Sequence, residues 1–365
     1  MARYIGLMSG TSLDGVDGVL IEIGQAGDAI RLRGHHHEPF VAALCDELRA
    51  LNQAGADELA RAAQAARGVA LAYASVVTAL LLESSVIASE VRAIGAHGQT
   101  VRHRPDAGYT VQLLNGAWLA EATRIDVVCD LRSRDVAAGG QGAPLAPGFH
   151  AALFGNAGQT RAVLNLGGIA NLTLLAPGEP VLGFDCGPAN TLLDAWCLRH
   201  RGSAFDADGQ WAASGQVIEP LLAALLTEPY FAAPPPKSTG RDLFHLDWLD
   251  AHLPAGVSPV DVQATLAALT VESIARDVER QAQRAEALFV CGGGARNTHL
   301  MRSLATRLPQ VRIASTEELG VPVDQVEAAA FAWLAHRFIE RLPGNLPEVT
   351  GARGPRLLGA LYPAQ

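Results

Sequence analysis

Two stretches of this chain repeat one plan: an apolar strand, a turn built of glycines, and a second apolar strand. Residues 3–23, "RYIGLMSGTSLDGVDGVLIEI", open the sequence with it, and residues 162–175, "AVLNLGGIANLTLL", carry it again. Short aliphatic runs around Gly-rich turns read as β-hairpins. Each hairpin heads a half of the chain in which helical stretches and further strands follow. That predicts a duplicated α/β fold with covered sheets and ligands at the carboxyl ends of strands. A chain of 365 residues also exceeds what one core comfortably covers, so two domains are expected. The Gly-rich run "AAGGQGAP" places their boundary near residues 130–140. The domains are therefore read as 1–135, completed by a C-terminal segment of about 345–365, and 136–344.

Between the hairpins, residues 56–92 read as one or two long Ala-rich helices, and "VRAIGAHGQTV" as a strand ending in a polar loop. "PVLGFDCGPANTLLDAW" reads as a strand, a Gly-Pro turn and a helix, with Asn190 placed to cap that helix. Ser258-Pro259 opens another helix, with Pro in its first turn. "ALFVCGGGARN" is a strand running into three glycines and a helix, and "VPVDQVEAAAFAWLAHRF" is the last helix.

The formal charge of -9 and a pI near 5.6 argue against nucleic acid or an anionic membrane as the main partner. An anionic small molecule remains compatible, because a local basic patch can oppose the net charge. Five scattered cysteines without a Cys-x-x-Cys pair suggest a reducing compartment. The start "MARYIGLMSG" lacks a signal-peptide pattern, and the apolar run Val69 to Leu82 is shorter than the roughly 20 residues of a membrane span. A cytoplasmic protein is expected.

The opening loop "LMSGTSLDGVD" is neither a P-loop nor a dinucleotide fingerprint. Its Gly10 and Gly15 permit close backbone approach to phosphate, and Thr11 and Ser12 add donors. Asp14 and Asp17 would repel a bare phosphate but suit one that carries Mg²⁺. The same residues also suit a plain turn. Gly167 and Gly168 repeat the device, so two such turns could clamp a polyphosphate. Gly292, Gly293 and Gly294, with Asn297 at the following helix start, suit a flat base lying on bare backbone.

Asp185, in "GFDCGPAN", stands at the carboxyl end of an apolar strand, where a lone carboxylate is a candidate general base. Its neighbour Cys186 has no recognisable His partner and reads as a packed thiol. His97, Gln99 and Thr100 lie at a strand end and suit hydrogen bonds to a polyol or amide, or form a plain polar loop. In "DLRSRD", Arg132 and Arg134 are candidates for a substrate carboxylate or members of an ion-pair cluster. Glu327 falls on an apolar helix face with Phe331 and Leu334, yet Asp324 and Glu327 also have capping-box spacing. His35, His36 and His37 read as exposed surface. Lys237, the only lysine in the chain, sits in the Pro-flanked "PPPKSTGRD" loop and reads as mobile and near phosphate, or simply exposed.

Taken together and in order, "GLMSGTSLDGVD", "IGAHGQTVRH", "DVAAGGQGAPL", "LNLGGIANLT", "GFDCGPAN", "PKSTGRD" and "VCGGGARN" closely resemble the anhydro-N-acetylmuramic acid kinases. The resemblance runs from about residue 3 to the final "LGALYP". It implies a two-domain duplicated actin-like ATPase (ribonuclease H-like) fold around a nucleotide cleft. It implies ATP and Mg²⁺ as cofactors, 1,6-anhydro-N-acetylmuramic acid as substrate and a possible homodimer. Asp185 then aligns with the base that activates water. Gly10 to Asp17, including Leu13 and Val16, map to the nucleotide-phosphate loop, joined by Gly167 and Gly168. Gly292 to Gly294 and Asn297 map to the adenosine side. Gln99, Thr100, Arg134 and Glu327 become substrate candidates. Another kinase of the superfamily and a non-metabolic actin-like ATPase are the alternatives.

Overall fold

The opening hairpin forms as its pattern predicts. In the computed structural model, strand β1 (Ala2–Met8) pairs antiparallel with β2 (Gly15–Ile23), and β2 with β3 (Ile30–Pro39). The structure describes residues 1–10, 13–24, 30–240, 242–282 and 284–364. On the other side of β1, β4 (Val91–Ala96) runs parallel to it, and β7 (Val127–Cys129) parallel to β4. The polar end of "VRAIGAHGQTV" is not a loop. It is β5 (Gln99–Arg104), paired antiparallel with β6 (Tyr109–Leu113), where alternating Thr, Val and Gln supply a strand face. The C-terminal strand Ala360–Tyr362 returns antiparallel to β7.

The second hairpin repeats this plan. Strand β8 (Arg161–Leu166) pairs antiparallel with β9 (Ile169–Leu175), and β9 with β10 (Leu182–Pro188). β11 (Ala287–Cys291) runs parallel to β8, and β12 (Arg312–Ser315) parallel to β11. The two sheets therefore share one order and one set of directions, β3-β2-β1-β4-β7 and β10-β9-β8-β11-β12. A three-strand meander extended by two parallel strands, built twice, is the duplicated ribonuclease H-like topology of the actin-like ATPases. Parallel neighbours require long crossovers. These are supplied by the helices Glu58–Glu83 before β4 and Pro259–Gln281 before β11, the latter starting with its proline as expected.

The chain divides into one unit of Met1–Leu153 with Gln325–Gln365, and a second of Phe154–Asp324. The boundaries expected at 135/136 and 344/345 thus shift to 153/154 and 324/325. The cause is the helix Val326–Ile339, which lies on β1 and β4 so closely that only glycine fits beneath it. A Cβ on Gly6 would overlap the carbonyl of Ala328, and one on Gly95 that of Phe331. The long helix expected over 56–92 ends at Glu83, because Val91 begins β4. Among the described residues it is the one helix long and apolar enough to cross a membrane, contrary to the shorter run read from the sequence. Its stripe Val69, Tyr73, Val76, Val77 and Leu80 is buried in the first unit's core with Ile5, Leu7, Leu20 and Ile94. In the second unit the core gathers Phe184, Trp196, Phe231, Phe244, Leu266 and Ile274.

Candidate functional site

In the first unit the site begins at the end of β1. The carbonyl of Ser9 accepts from His97 Nδ1 at 3.2 Å, and that of Gly10 from Gln99 Nε2 at 3.1 Å. The Ser9 hydroxyl meets the buried Tyr73 hydroxyl at 2.8 Å. Thr11 and Ser12 lie outside the described residues. Leu13 follows with φ +61°, a left-handed conformation that a side chain disfavours, and its N–H donates back to Gly10.

His97 is buried, and burial together with the Arg132 guanidinium holds its imidazole well below the usual range. Arg132 donates to Nε2 from Nε and Nη2 at 3.1 and 3.0 Å, which places the His97 proton on Nδ1 facing Ser9. Arg132 also donates to the Gly142 carbonyl at 2.8 Å. Arg132 is therefore structural, whereas Arg134 stands exposed on the short helix Ser133–Ala137. Asp135 is fully buried and accepts from Gly142 N, Asn345 Nδ2 and the Thr350 hydroxyl at 2.7–2.8 Å.

Asp14 is exposed in the turn, while Asp17 belongs to the sheet. Its Oδ1 lies 3.1 Å from His35 Nε2 and 3.0 Å from His37 Nδ1 on the paired strand. The histidine tract thus supplies partners to the Asp17 and Glu83 carboxylates. His36 reaches Glu83 at 2.9 Å. Gln99 keeps a buried Oε1 without a hydrogen-bond partner, and Thr100 Oγ1 accepts from Gln112 at 3.2 Å. Glu327 lies half-buried in the first turn of its helix. The capping-box alternative fails: Gln325 is the N-cap and makes no side-chain cap bond, and Asp324 is paired with Arg296 at 2.7 Å.

In the second unit, Gly167 and Gly168 are the two-residue turn between β8 and β9. Their carbonyls accept the N–H groups of Ala189, Asn190 and Thr191 at 3.0–3.1 Å, so the turn is welded to the helix Asn190–Arg201. Asn190 does not cap that helix. Its Nδ2 donates to Leu166 O at 3.0 Å, which the sequence could not reveal because the hairpin lies 24 residues earlier. The triple glycine packs on the same hairpin. Gly292 has φ +80°, and a Cβ there would strike Asn165 and Leu166; a Cβ on Gly293 would meet nothing within 4 Å. Gly293 thus offers the open backbone expected for a flat ring. Asn297 spends its Oδ1 on Leu300 N at 3.1 Å as a helix cap. The hairpin and the triple-glycine turn, 125 residues apart in sequence, form one surface.

Asp185 sits on β10, 9% exposed, at a bulge where the strand shifts register against β9. One oxygen, Oδ2, accepts from the Ser238 hydroxyl and from Thr239 N, both at 3.0 Å. Its N–H donates to Lys237 O at 3.1 Å, and its carbonyl accepts from the Tyr230 hydroxyl at 2.7 Å. The loop after three prolines therefore wraps the carboxylate, and Ser238, Thr239 and Tyr230 are the residues missed by sequence reasoning. "PKSTGRD" held the signal in its adjacent Ser and Thr, hidden by attention to the lysine. Lys237 is neither mobile nor exposed: it is buried. Burial pushes the Cys186 thiol well above its ordinary value, in keeping with a packed cysteine.

Four buried polar atoms on the β8–β9 hairpin, the helix Asn190–Arg201 and the 237–239 loop lack hydrogen-bond partners: Oδ1 of Asn165 and Asn171, and Oγ1 of Thr191 and Thr239. Asn171 is the cross-strand partner of both Asn165 and Asp185. Buried polar groups are normally satisfied, so this set marks a place for a polar ligand. Among the described residues no group of three His, Cys, Asp or Glu could hold a metal by itself.

The family model described as anhydro-N-acetylmuramic acid kinase matches residues 2–364. A protein of that name from Bordetella pertussis is 59% identical over 366 residues, covering 99% of this chain and 96% of the relative. One from Variovorax paradoxus is 59% identical over 372 residues, with 99% of each covered. One from Cupriavidus metallidurans is 56% identical over 371 residues, covering 99% of this chain and 97% of the relative.

Proposed function

The chain belongs to the anhydro-N-acetylmuramic acid kinase family, and from that membership we propose how its own side chains divide the reaction. It is an ATP-dependent kinase that opens the 1,6-anhydro ring of 1,6-anhydro-N-acetylmuramic acid and phosphorylates O6. The products are N-acetylmuramic acid 6-phosphate and ADP, a step of peptidoglycan recycling.

The observation that carries the residue assignment is the clamp on Asp185. A nearly buried carboxylate with one oxygen fixed by two donors is an oriented base. Asp185 takes a proton from water as the water oxygen bonds to the anomeric carbon. The C1–O6 bond breaks with its electron pair going to O6, through a centre with oxocarbenium character. O6 then attacks the γ-phosphorus and ADP departs. Positioning and charge neutralisation supply most of the catalysis of such a transfer.

Gly10 to Val16, Gly167, Gly168 and Gly292 to Gly294 are assigned to ATP. In this reading Gly293 lies under the base, and Asn297 acts through its helix cap rather than by touching nucleotide. Gln99, with its unpartnered Oε1, Thr100, Glu327 and the exposed Arg134 are assigned to the sugar. Arg134 suits the lactyl carboxylate. The unpartnered oxygens of Asn165 and Asn171 are hard donors, too few for an all-protein cage, and so would suit Mg²⁺ that keeps waters and phosphate ligands. When bound, that ion neutralises charge on the phosphates. We place the enzyme in the cytoplasm, in keeping with its free cysteines.

The test is ADP release with anhydro-N-acetylmuramic acid set against simple amino sugars. Asp185→Asn is expected to abolish phosphorylation while ATP binding survives; near-normal turnover by that variant would refute the base assignment. In ¹⁸O-labelled water, label at the anomeric oxygen of the first-formed product is expected. Its absence, with mutarotation exchange controlled, would point to simple phosphorylation of an intact sugar.

A further inference from the structure

The only lysine of the chain is buried in an ion pair. The Lys237 side chain is 4% exposed, and its Nζ lies 3.0 Å from Oδ2 and 3.2 Å from Oδ1 of Asp277, which is 3% exposed. The ammonium also stands over the rings of Tyr230 and Phe184, at 5.1 and 5.6 Å. The surroundings of this pair converge on Asp185. Lys237 O and the Tyr230 hydroxyl bind the two backbone groups of Asp185, while Ser238 and Thr239, the next two residues, bind its Oδ2. Phe184 and Cys186 are its chain neighbours.

We propose that the Lys237–Asp277 ion pair is a positioning device for Asp185: it fastens the 234–240 loop to the buried helix Pro259–Gln281, so that Ser238 and Thr239 meet one carboxylate oxygen. The inference rests on Asp185 being the base.

Three points support it. Residues 234–236 are all proline and offer no N–H by which the start of the loop could be held, so beyond its bonds to Asp185 itself the Lys237 side chain is an independent anchor to the body of the unit. A buried ion pair contributes little net stability, since desolvation roughly cancels attraction and apolar replacements are often as stable. Its effect is to give Nζ one place to sit, whereas an apolar side chain tolerates sliding. Finally, the ammonium is held on three sides, by the Asp277 carboxylate and by the Tyr230 and Phe184 rings, which fixes its position more closely than a single contact would.

The experiment compares the double variant Lys237→Met/Asp277→Leu with the parent in steady-state ADP release and thermal unfolding. Removing both charges leaves no unpaired ion, so folding should survive. The expected result is a melting temperature close to the parent, KM for ATP and sugar within about threefold, and kcat lowered about a hundredfold. A displacement near 1 Å costs that much. Should the double variant not fold, Asp277→Glu, which keeps both charges but displaces the carboxylate by one methylene, decides the matter. Its kcat should fall about tenfold with KM unchanged. A folded variant with kcat within twofold of the parent overturns the proposal, and so does a loss confined to melting temperature. Asp185→Asn is run beside them: normal turnover there removes the base reading and this inference with it. Abolished turnover there, with parental kcat in the pair variants, removes this inference alone.

Discussion

The hydroxyl of Ser238 offers a direct measure of how much the clamp on Asp185 matters. Ser238→Ala deletes one of the two donors to Oδ2 and leaves Thr239 N in place. A hydrogen bond to a charged group contributes about 1.5–3 kcal/mol. Asp185 is nearly buried, but Ser238 itself is exposed, so water can partly replace the lost hydroxyl. That lowers the net loss to about 1–1.4 kcal/mol, or about five- to tenfold in kcat. The pH dependence follows from the same bond. The hydroxyl stabilises only the ionised carboxylate, so its removal makes ionisation harder. The acidic limb of kcat/KM should therefore move to higher pH, while the alkaline limb stays. Coupled ADP release across pH 5–9 measures both, with Ser238→Thr as a control that keeps the donor. An alanine variant that is folded, keeps kcat within twofold and leaves the acidic limb in place would refute the reasoning.

Two further tests concern stability. His97 and His150 are buried and held neutral, His150 with its pKa down at about 3. Unfolded histidine titrates near 6.5, so each contributes stability above that pH that is lost as pH falls toward its folded value. For two protons the slope approaches about 2.7 kcal/mol per pH unit. Denaturation at pH 7 and pH 5 should show the decline, with about half the slope remaining in His150→Phe; an identical slope in that variant would contradict the assignment. Gly95→Ala inserts a methyl beneath the 326–339 helix. It should cost about 1–3 kcal/mol and lower Tm by about 2–12 °C; an unchanged Tm would show that the helix is not seated as described.

The hairpins and the triple glycine were legible in the sequence because glycine turns and short apolar runs are local signals, whereas Asp185, read as the end of its strand, lies within β10 at a bulge that only the pairing with β9 reveals. The clamp was not legible either, because Ser238 lies 53 residues from the carboxylate it binds. The same limit explains Asn190, whose position suited a cap until a hairpin carbonyl 24 residues away claimed its amide. Lys237 looked exposed because prolines and polar residues surround it; only the distant Asp277 makes its burial possible. Asp17 and Asp14 looked equivalent in the loop, yet strand pairing directs Asp17 to His35 and His37. The boundary moved because Gly6 and Gly95, hundreds of residues from the helix they accept, read as ordinary strand glycines.

The path of the chain through the two units has a consequence for biosynthesis. The second unit is contiguous, Phe154–Asp324, whereas the first needs residues 325–365, which are made only after the whole second unit. Until Ile339 emerges, the glycine-lined face of β1 and β4 lacks its helix, and until Tyr362 emerges β7 keeps an open edge. The unit begun first of the two is thus the one completed second. During translation the nascent N-terminal sheet presents an uncovered apolar face for the time needed to synthesise the whole intervening unit. That is the interval in which a chaperone has a surface to hold and in which premature termination is most damaging.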